Sequence, residues 1–176
     1  MKSKLLPMGV IISSLVTVSA MAADGQVNFS GQIIDVACNV INSTSNPLVV
    51  TLGQVSKNAF SGVGSTAAPT KFTIQLSDCP MTITKAAVKF DGTSVTGYSG
   101  VLALTQESGV ASGVGIQLYD DINTAIPLYS ASKQYVLTPG AGRVNNLDFI
   151  ARYIATSATI GAGLANSMTS FTIVYN

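Results

Sequence analysis

Two cysteines, Cys38 and Cys79, are the side chains of this 176-residue chain most able to form a covalent or metal bond. A metal pair is the competing interpretation, but the sequence has no histidine and no second pair of cysteines, so the usual zinc constellations cannot be assembled. In an oxidising compartment two such thiols form a disulfide. A bridge would close a loop of about 40 residues, for which chain entropy gives about 4 kcal/mol of stabilisation. We therefore expect a disulfide between them.

Catalytic chemistry has few candidate residues. Nucleophile triads and dyads that use an imidazole base are excluded because histidine is absent. Asp120 and Asp121 are the only adjacent carboxylates, yet neighbouring residues of a strand point to opposite faces, and the sequence DDIN is typical of a solvated turn. Calcium binding or catalysis by this pair is the alternative. We expect no catalytic residue, no metal site, no cofactor and no small-molecule substrate.

The first 22 residues have the pattern of a secretory leader. Lys2 and Lys4 precede an apolar stretch, Leu5 to Val18, and the small residues Ala20 and Ala22 suit cleavage before Ala23. A membrane anchor is the alternative, but the apolar stretch contains Pro7 and is shorter than the roughly 20 residues that a span needs. We expect residues 1–22 to be a removed signal peptide, so that the chain is exported.

The composition of the exported part excludes several partners. Without Lys2 and Lys4 it has 7 basic and 8 acidic side chains, which gives a net charge of −1. Such a surface recruits neither nucleic acid nor an anionic membrane. Only 10% of the residues of the chain are charged and 47% are hydrophobic, so little charge repulsion separates copies of the protein.

Strand patterns dominate the exported part, and no stretch of a dozen residues shows a helical stripe. At most a short helical turn is expected at Gln54 to Phe60, and the Gly, Ser, Thr and Ala of Ser61 to Thr70 indicate an exposed loop. Many short strands in one domain predict an antiparallel sandwich or barrel. Alternating or β-branched runs occur at Val49 to Leu52, Lys71 to Leu76, Ala86 to Phe90, Val101 to Leu104, Gly115 to Tyr119, Ala125 to Tyr129, Tyr135 to Leu137, Leu147 to Ala155 and Thr169 to Tyr175.

Three of the predicted strands stand out. The run Asn145 to Ala155 has apolar residues on both faces and suits the middle of a sheet. Gln26 to Asp35 begins the exported part with Val27, Phe29, Gly31 and Ile33 in one row, and Phe171, Ile173 and Tyr175 share one face near the end. Terminal strands fray unless something pairs with them. From the pattern alone, Gln26 to Asp35 pairs within its own domain, since sequential strands commonly do so.

The exported part resembles the pilin subunits of bacterial chaperone-usher fimbriae, particularly those of type 1. Two positions match the family's C-terminal signature: Gly163, the fourteenth residue from the end, and Tyr175, the penultimate residue. The resemblance also rests on the segments GQIIDVACNV, FTIQLSDCP, FIARYIAT and GLANSMTSFTIVYN.

This resemblance implies an all-β fold, an incomplete immunoglobulin-like antiparallel sandwich that lacks its last strand. A donor strand from a chaperone or a neighbouring subunit would complete it, which is a known form of β-strand addition. The implied division is a signal peptide at 1–22, a donor-strand extension at 23–36 and a pilin domain at 37–176.

Site residues follow from the same resemblance. Val27, Phe29, Gly31 and Ile33 would form the donor strand, with the glycine where the neighbour's groove is shallow. The last strand and the chaperone-binding region of the accepting subunit would contain Gly163, Phe171, Ile173, Tyr175 and Asn176, and the Asn176 carboxylate would lie near a basic residue of the chaperone.

The implied function is that of a structural subunit of a fimbria, exported through the periplasm to the cell surface, where it supports adhesion. Its partners would be other copies of itself, related pilins, a periplasmic chaperone and an outer-membrane usher. The length favours the major rod subunit over a two-domain tip adhesin. A minor adaptor is the near alternative, followed by a secreted monomeric module that binds carbohydrate or protein, and then by a carboxylate-based hydrolase.

Overall fold

The computed structural model describes residues 24–34 and 36–175. These residues divide into two units, 24–33 and 34–175. The predicted leader at 1–22 lies outside the described residues, as do Asp35 and Asn176. Within the described part of the chain, no helix has the length and apolar character needed to cross a bilayer.

Strands are the main regular secondary structure of the larger unit. The one helical element among the described residues is a single 3₁₀ turn at Lys57–Ala59, inside the region where a helical turn is predicted. The strands of the described residues are β1 (Asn39–Val40), β2 (Thr66–Ser77), β3 (Lys85–Asp91), β4 (Ser94–Val95), β5 (Tyr98–Leu102), β6 (Val114–Asp120), β7 (Ala125–Ile126), β8 (Tyr135–Val136), β9 (Val144–Ala155) and β10 (Ser170–Tyr175).

These strands form two antiparallel sheets. The larger sheet has the order β1-β2-β9-β6-β5-β4, with β7 added to β6, and the smaller has the order β10-β3-β8. Strand β9 pairs with β2 on one side and with β6 on the other. The predicted central strand at Asn145 to Ala155 is therefore confirmed, as is the antiparallel all-β class.

The two sheets pack face to face around an aromatic cluster. Phe90 of β3 meets Phe149 of β9 edge to face, with ring centroids 5.2 Å apart. Phe72 of β2 stacks on Phe149 at 5.5 Å. Such pairs add about 0.5–1.5 kcal/mol beyond the burial of their surface. They hold the smaller sheet against the middle of the larger one and so make the unit a sandwich.

Cys38 and Cys79 form the predicted disulfide, with Cα atoms 4.1 Å apart. Both cysteines are buried in the core. The bond joins the residue before β1 to the residues that follow β2, where Asn39 already pairs with Ser77. It therefore fixes the beginning of the folded unit to the larger sheet.

The turn interpretation of Asp120 and Asp121 agrees with the structure. Asp120 ends β6, and its Oδ1 accepts hydrogen bonds from the backbone N–H groups of Ile122 at 3.1 Å and Thr124 at 2.7 Å. Asp121 points away to an ion pair with Lys133. The first carboxylate thus closes the turn that leads to β7, and the two do not face a common site.

The predicted loop at Ser61 to Thr70 is wrong in its second half. Strand β2 begins at Thr66, and its first residues pair with Tyr153 and Ile154 of β9. A bulge between Ala67 and Thr70 accommodates Pro69, which cannot donate to a ladder. The small residues and the proline are typical of a loop, so the strand was not predicted. The bulge allows these residues to belong to a strand.

Two predicted strands are not strands in the structure. None of the residues 24–34 belongs to a strand, so the predicted strand at Gln26 to Asp35 is not formed in its described part. The predicted strand at Val49 to Leu52 is not formed either. A strand is defined by hydrogen bonds to a neighbour. In both segments the alternating pattern is present in the sequence, but the ladder that would make a strand of it is missing.

We predict that replacing both cysteines, Cys38→Ala with Cys79→Ala, lowers the free energy of unfolding by about 4 kcal/mol, because the loop between them is no longer closed in the unfolded state. Urea denaturation followed by circular dichroism measures the difference. Reduction of the unaltered protein is the matched control and should give a similar loss. A loss below about 1 kcal/mol, an ordinary value for a point substitution, would show that the bond is dispensable.

Candidate functional site

An apolar groove of about 790 Å³ runs between the two sheets of the larger unit. Its floor consists of core side chains from both sheets, among them Phe90, Ile116 and Ala151. One wall is β10 and the other is the segment 47–52. The apolar lining comprises Ala37, Cys38, Val40, Pro47, Leu48, Val50, Leu52, Phe72, Ile74, Phe90, Leu102, Ile116, Leu118, Ala151, Met168, Phe171, Ile173 and Tyr175.

Strand β10 stands at the edge of its sheet. It pairs with β3 through six residues and has no strand on its other side among the described residues. Its side chains alternate, so that Phe171, Ile173 and Tyr175 are half-buried along the groove while the residues between them are exposed. An edge of this kind presents a row of N–H and C=O groups that can accept another strand.

The opposite wall repeats the alternation without forming a strand. Leu48, Val50 and Leu52 line the groove, whereas Val49 and Thr51 between them do not. These three residues were not predicted to belong to a site, although their period-two spacing in the sequence was the available signal. The groove is therefore bounded on both sides by segments that present alternate apolar side chains toward it.

One end of the groove is held by the residues around the disulfide. Burial raises the pKa of Tyr175, and a hydrogen bond with the backbone of Cys38 opposes that rise. The Asp78 carboxylate accepts hydrogen bonds from the Gly142 backbone N–H at 2.7 Å and from Asn39 Nδ2 at 3.2 Å. These contacts connect the last residues of β10, the beginning of β1 and the turn before β9.

Among the described residues that line the groove there is no Asp, Glu, Lys or Arg. Its polar members are uncharged side chains toward its ends, such as Asn42, Ser43, Ser167 and Thr169. No group of three or more metal-binding side chains occurs among the described residues. A surface of this composition suits an apolar segment of polypeptide, because a free strand edge supplies hydrogen bonds and the floor supplies apolar contact.

The predicted donor residues lie in the smaller unit and are accessible. Val27, Phe29 and Ile33 are 74%, 93% and 96% exposed. A Cβ placed on Gly31 would meet no heavy atom within 4 Å. Three large apolar side chains are therefore presented to solvent in one short segment, an arrangement that marks interaction sites.

Gly163, which was predicted within the last strand and chaperone-binding region, lies outside the last strand. It lies seven residues before β10 begins, next to the bridge that Val110 forms with Leu164. A Cβ at this position would fall 2.5 Å from the Ala111 nitrogen and 2.7 Å from the Val110 carbonyl carbon. Glycine is thus needed for close packing of two backbone segments. Asn176 lies outside the described residues.

The sequence of this chain is similar to those of known fimbrial proteins. A sequence profile described as "Fimbrial protein" matches residues 27–176. The chain belongs to the fimbrial protein family. It is 35% identical to the long polar fimbria protein A of Salmonella typhimurium, over 92% of this chain and 91% of that one. It is 36% identical to the probable major fimbrial subunit LpfA of Escherichia coli O157:H7, over 89% and 86% of the two chains.

Solved structures show the same fold. An antigen and type I fimbria protein of Burkholderia pseudomallei is 41% identical, with a TM-score of 0.59 over 85% of this chain and 96% of that one. The P pilus rod subunit PapA is only 21% identical but has a TM-score of 0.64 over 80% and 100% of the chains. The protein is a subunit of a chaperone-usher surface fimbria with an incomplete immunoglobulin-like fold, and it is a structural protein, not an enzyme.

We predict that acid weakens the disulfide end of the groove through Asp78. The Gly142 N–H, followed by the Ser77 and Asn39 side chains, lowers the pKa of this carboxyl below its ordinary 3.8. Because the unfolded chain binds the proton more readily, the stabilisation is present above about pH 4 and is lost as the pH falls through the folded pKa. Urea midpoints between about pH 2 and 6 measure it.

Asp78→Asn is the test variant, and its midpoint should fall less steeply on acidification than that of the unaltered protein. Asp24→Asn, in the other unit, is the matched control and should keep the original slope. If the urea midpoints of all three proteins fall equally steeply with pH, Asp78 does not contribute to the acid sensitivity.

Proposed function

We propose that this subunit polymerises head to tail by donor-strand exchange and forms the rod of its fimbria. The observation that carries the proposal is the uncharged apolar groove beside the free edge of β10. A strand from a second copy would pair with β10 and place its apolar side chains over the exposed core. The segment 26–34 has the required residues, with Val27, Phe29, Gly31 and Ile33 at alternate positions.

The dimensions of the two segments agree. At about 3.4 Å per residue, the six residues of β10 span about 20 Å and the seven residues from Val27 to Ile33 span about 24 Å when extended. The apolar wall residues Phe171, Ile173 and Tyr175 also recur at period two. Side chains of a docked strand would therefore meet the groove along its whole length.

The docked strand would be held firmly. Burying Val27, Phe29 and Ile33 at about 1.5–3 kcal/mol each gives roughly 5–9 kcal/mol before the cost of association. Each ladder hydrogen bond adds about 0.5–1.5 kcal/mol. Withdrawal of the strand would uncover the core, so dissociation would resemble partial unfolding and be slow. One donor segment and one groove per copy make a contact that does not close on itself, which produces a fibre.

The remaining steps follow from an open core. An uncovered groove exposes apolar surface during export, so a periplasmic chaperone would occupy it with a strand of its own until an outer-membrane usher mediates replacement by the next subunit. In this scheme residues 1–22 are removed, 23–36 act as the donor extension and 37–176 form the accepting domain. The Asn176 carboxylate would lie near a basic residue of the chaperone.

A role as the major rod subunit is supported by the similarity to a probable major fimbrial subunit over most of both chains. A rod subunit needs both a groove and a donor segment, because every copy is flanked by two others. Quantitative mass spectrometry of purified fibres tests this role. The chain should be the most abundant protein of the fibre, whereas a few copies per fibre would indicate a minor adaptor.

We predict that Phe29→Lys prevents fibre assembly while secretion of a folded chain continues. The change removes about 1.5–3 kcal/mol of apolar burial and forces an unpaired ammonium against the groove, so docking should weaken by at least about tenfold. Electron microscopy and sedimentation of secreted protein measure assembly.

Asn28→Lys is the matched control, because this neighbouring residue would point away from the groove in a docked strand. Normal fibres from the control and none from Phe29→Lys support the donor role. Ordinary fibres from both variants would show that the segment around Phe29 is not the donor strand.

A bulky residue at Gly31 should also slow strand docking. Gly31→Leu adds a side chain that has free space in the unassembled chain but would collide with the groove where it is shallow. Gly25→Leu is the matched control, since a Cβ there also meets nothing within 4 Å and the position precedes the apolar row. Light scattering during assembly gives the rates, and equal rates for both variants would show that the groove is roomy at that point.

A further inference from the structure

Two methionines remain in the exported part of the chain, Met81 and Met168, once residues 1–22 are removed. Both are exposed, at 74% and 83%. Both cysteines are held in the disulfide, so these thioethers are the sulfur atoms open to oxidation. They differ in location: Met81 lies in the turn between β2 and β3, whereas Met168 lines the groove just before β10.

The position of Met168 is fixed by its neighbours. The Ser167 hydroxyl donates a hydrogen bond to the Ala103 carbonyl oxygen at 2.7 Å, and the Thr169 hydroxyl donates one to the Asp91 carbonyl oxygen at 3.0 Å. These bonds hold the residues on both sides of the methionine against Ala103, which follows β5, and against Asp91 at the end of β3. Met168 is therefore a fixed part of the groove, at the end where an incoming strand would begin or finish its pairing.

We propose that Met168 is an oxidation site that controls access to the groove, an inference that rests on the proposed strand exchange. A peroxide transfers one oxygen atom to the thioether, which becomes a sulfoxide, while the peroxide is reduced to water or an alcohol. The sulfur loses two electrons and the peroxide oxygen gains them. Oxidation before docking hinders strand addition, and a docked strand protects the thioether.

The physical reason is the change in polarity. A thioether is an adaptable apolar group that packs against varied side chains. A sulfoxide is polar and must give up bound water when a strand covers it. No charged side chain lines the groove among the described residues, and the hydroxyls of Ser167 and Thr169 beside Met168 already donate to the Ala103 and Asp91 carbonyl oxygens. The modification is reversible, because methionine sulfoxide reductases restore the thioether.

The first test measures protection in the unaltered protein. The unassembled exported chain and its fibres are treated with dilute hydrogen peroxide, and sulfoxide at each methionine is quantified by mass spectrometry. Met81 and Met168 should oxidise at comparable rates in the unassembled chain, and only Met168 should slow, by about tenfold, in the fibre. Equal oxidation of both methionines in the fibre would overturn the proposal.

The second test measures assembly after oxidation. The exported chain, Met81→Leu and Met168→Leu are treated with peroxide, the oxidant is removed, and each assembly rate is divided by that of its own untreated sample. The ratio should fall about tenfold for the unaltered chain and for Met81→Leu, stay near one for Met168→Leu, and recover after reductase treatment. An unchanged ratio in the unaltered chain would contradict the proposed role of Met168 but leave strand exchange intact. Untreated chains that never assemble would contradict strand exchange, and the role of Met168 with it.

Discussion

The free edge of β10 is the constraint on which the rest of the structure depends. A sandwich covers its core only when each sheet extends to the rim of the other, and here the smaller sheet stops one strand short. Phe171, Ile173 and Tyr175 therefore face a groove whose floor is the core itself. An edge of unpaired backbone groups beside uncovered apolar side chains favours the addition of a further strand. In the proposed donor-strand exchange, a fimbrial subunit uses this missing strand as its point of attachment, because another copy supplies the strand.

The remainder of the domain has to hold its shape while this groove is open. The Phe90 and Phe149 contact joins the sheets at the floor of the groove, and the disulfide fixes the beginning of the larger unit near Tyr175. Close backbone packing at Gly163 holds the segment that leads to β10. All of these contacts are made within the larger unit, so the walls are in place before a strand arrives. Little rearrangement is then needed on docking, which reduces the cost of ordering.

Much of the fold could be predicted from the sequence wherever a strand has both of its neighbours. Strand β9 was predictable because apolar residues occupy both of its faces, and the disulfide because the chain has two cysteines in a part that is predicted to be exported. The predictions were wrong at 26–34 and 49–52, which have the pattern of a strand without its ladder. Residues of the segment 49–52 line the groove, and 26–34 is the segment proposed to fill the groove of another copy. In both places the sequence has the pattern of a strand, but the strand that would pair with it is absent. Strand β2 was partly missed for a different reason, because its bulge tolerates Pro69. The position of Gly163 depends on long-range backbone packing that no spacing of residues reveals.

The central claim is that the groove of one copy is completed by the extension of another. A cryo-electron microscopy reconstruction of the fibre, at a resolution that traces the backbone, tests it most directly. The account predicts that residues 26–34 of each subunit lie as a strand along β10 of its neighbour, with Phe29 over the floor of the groove. A fibre in which the groove is empty, or is filled by a segment of the same chain, would contradict it.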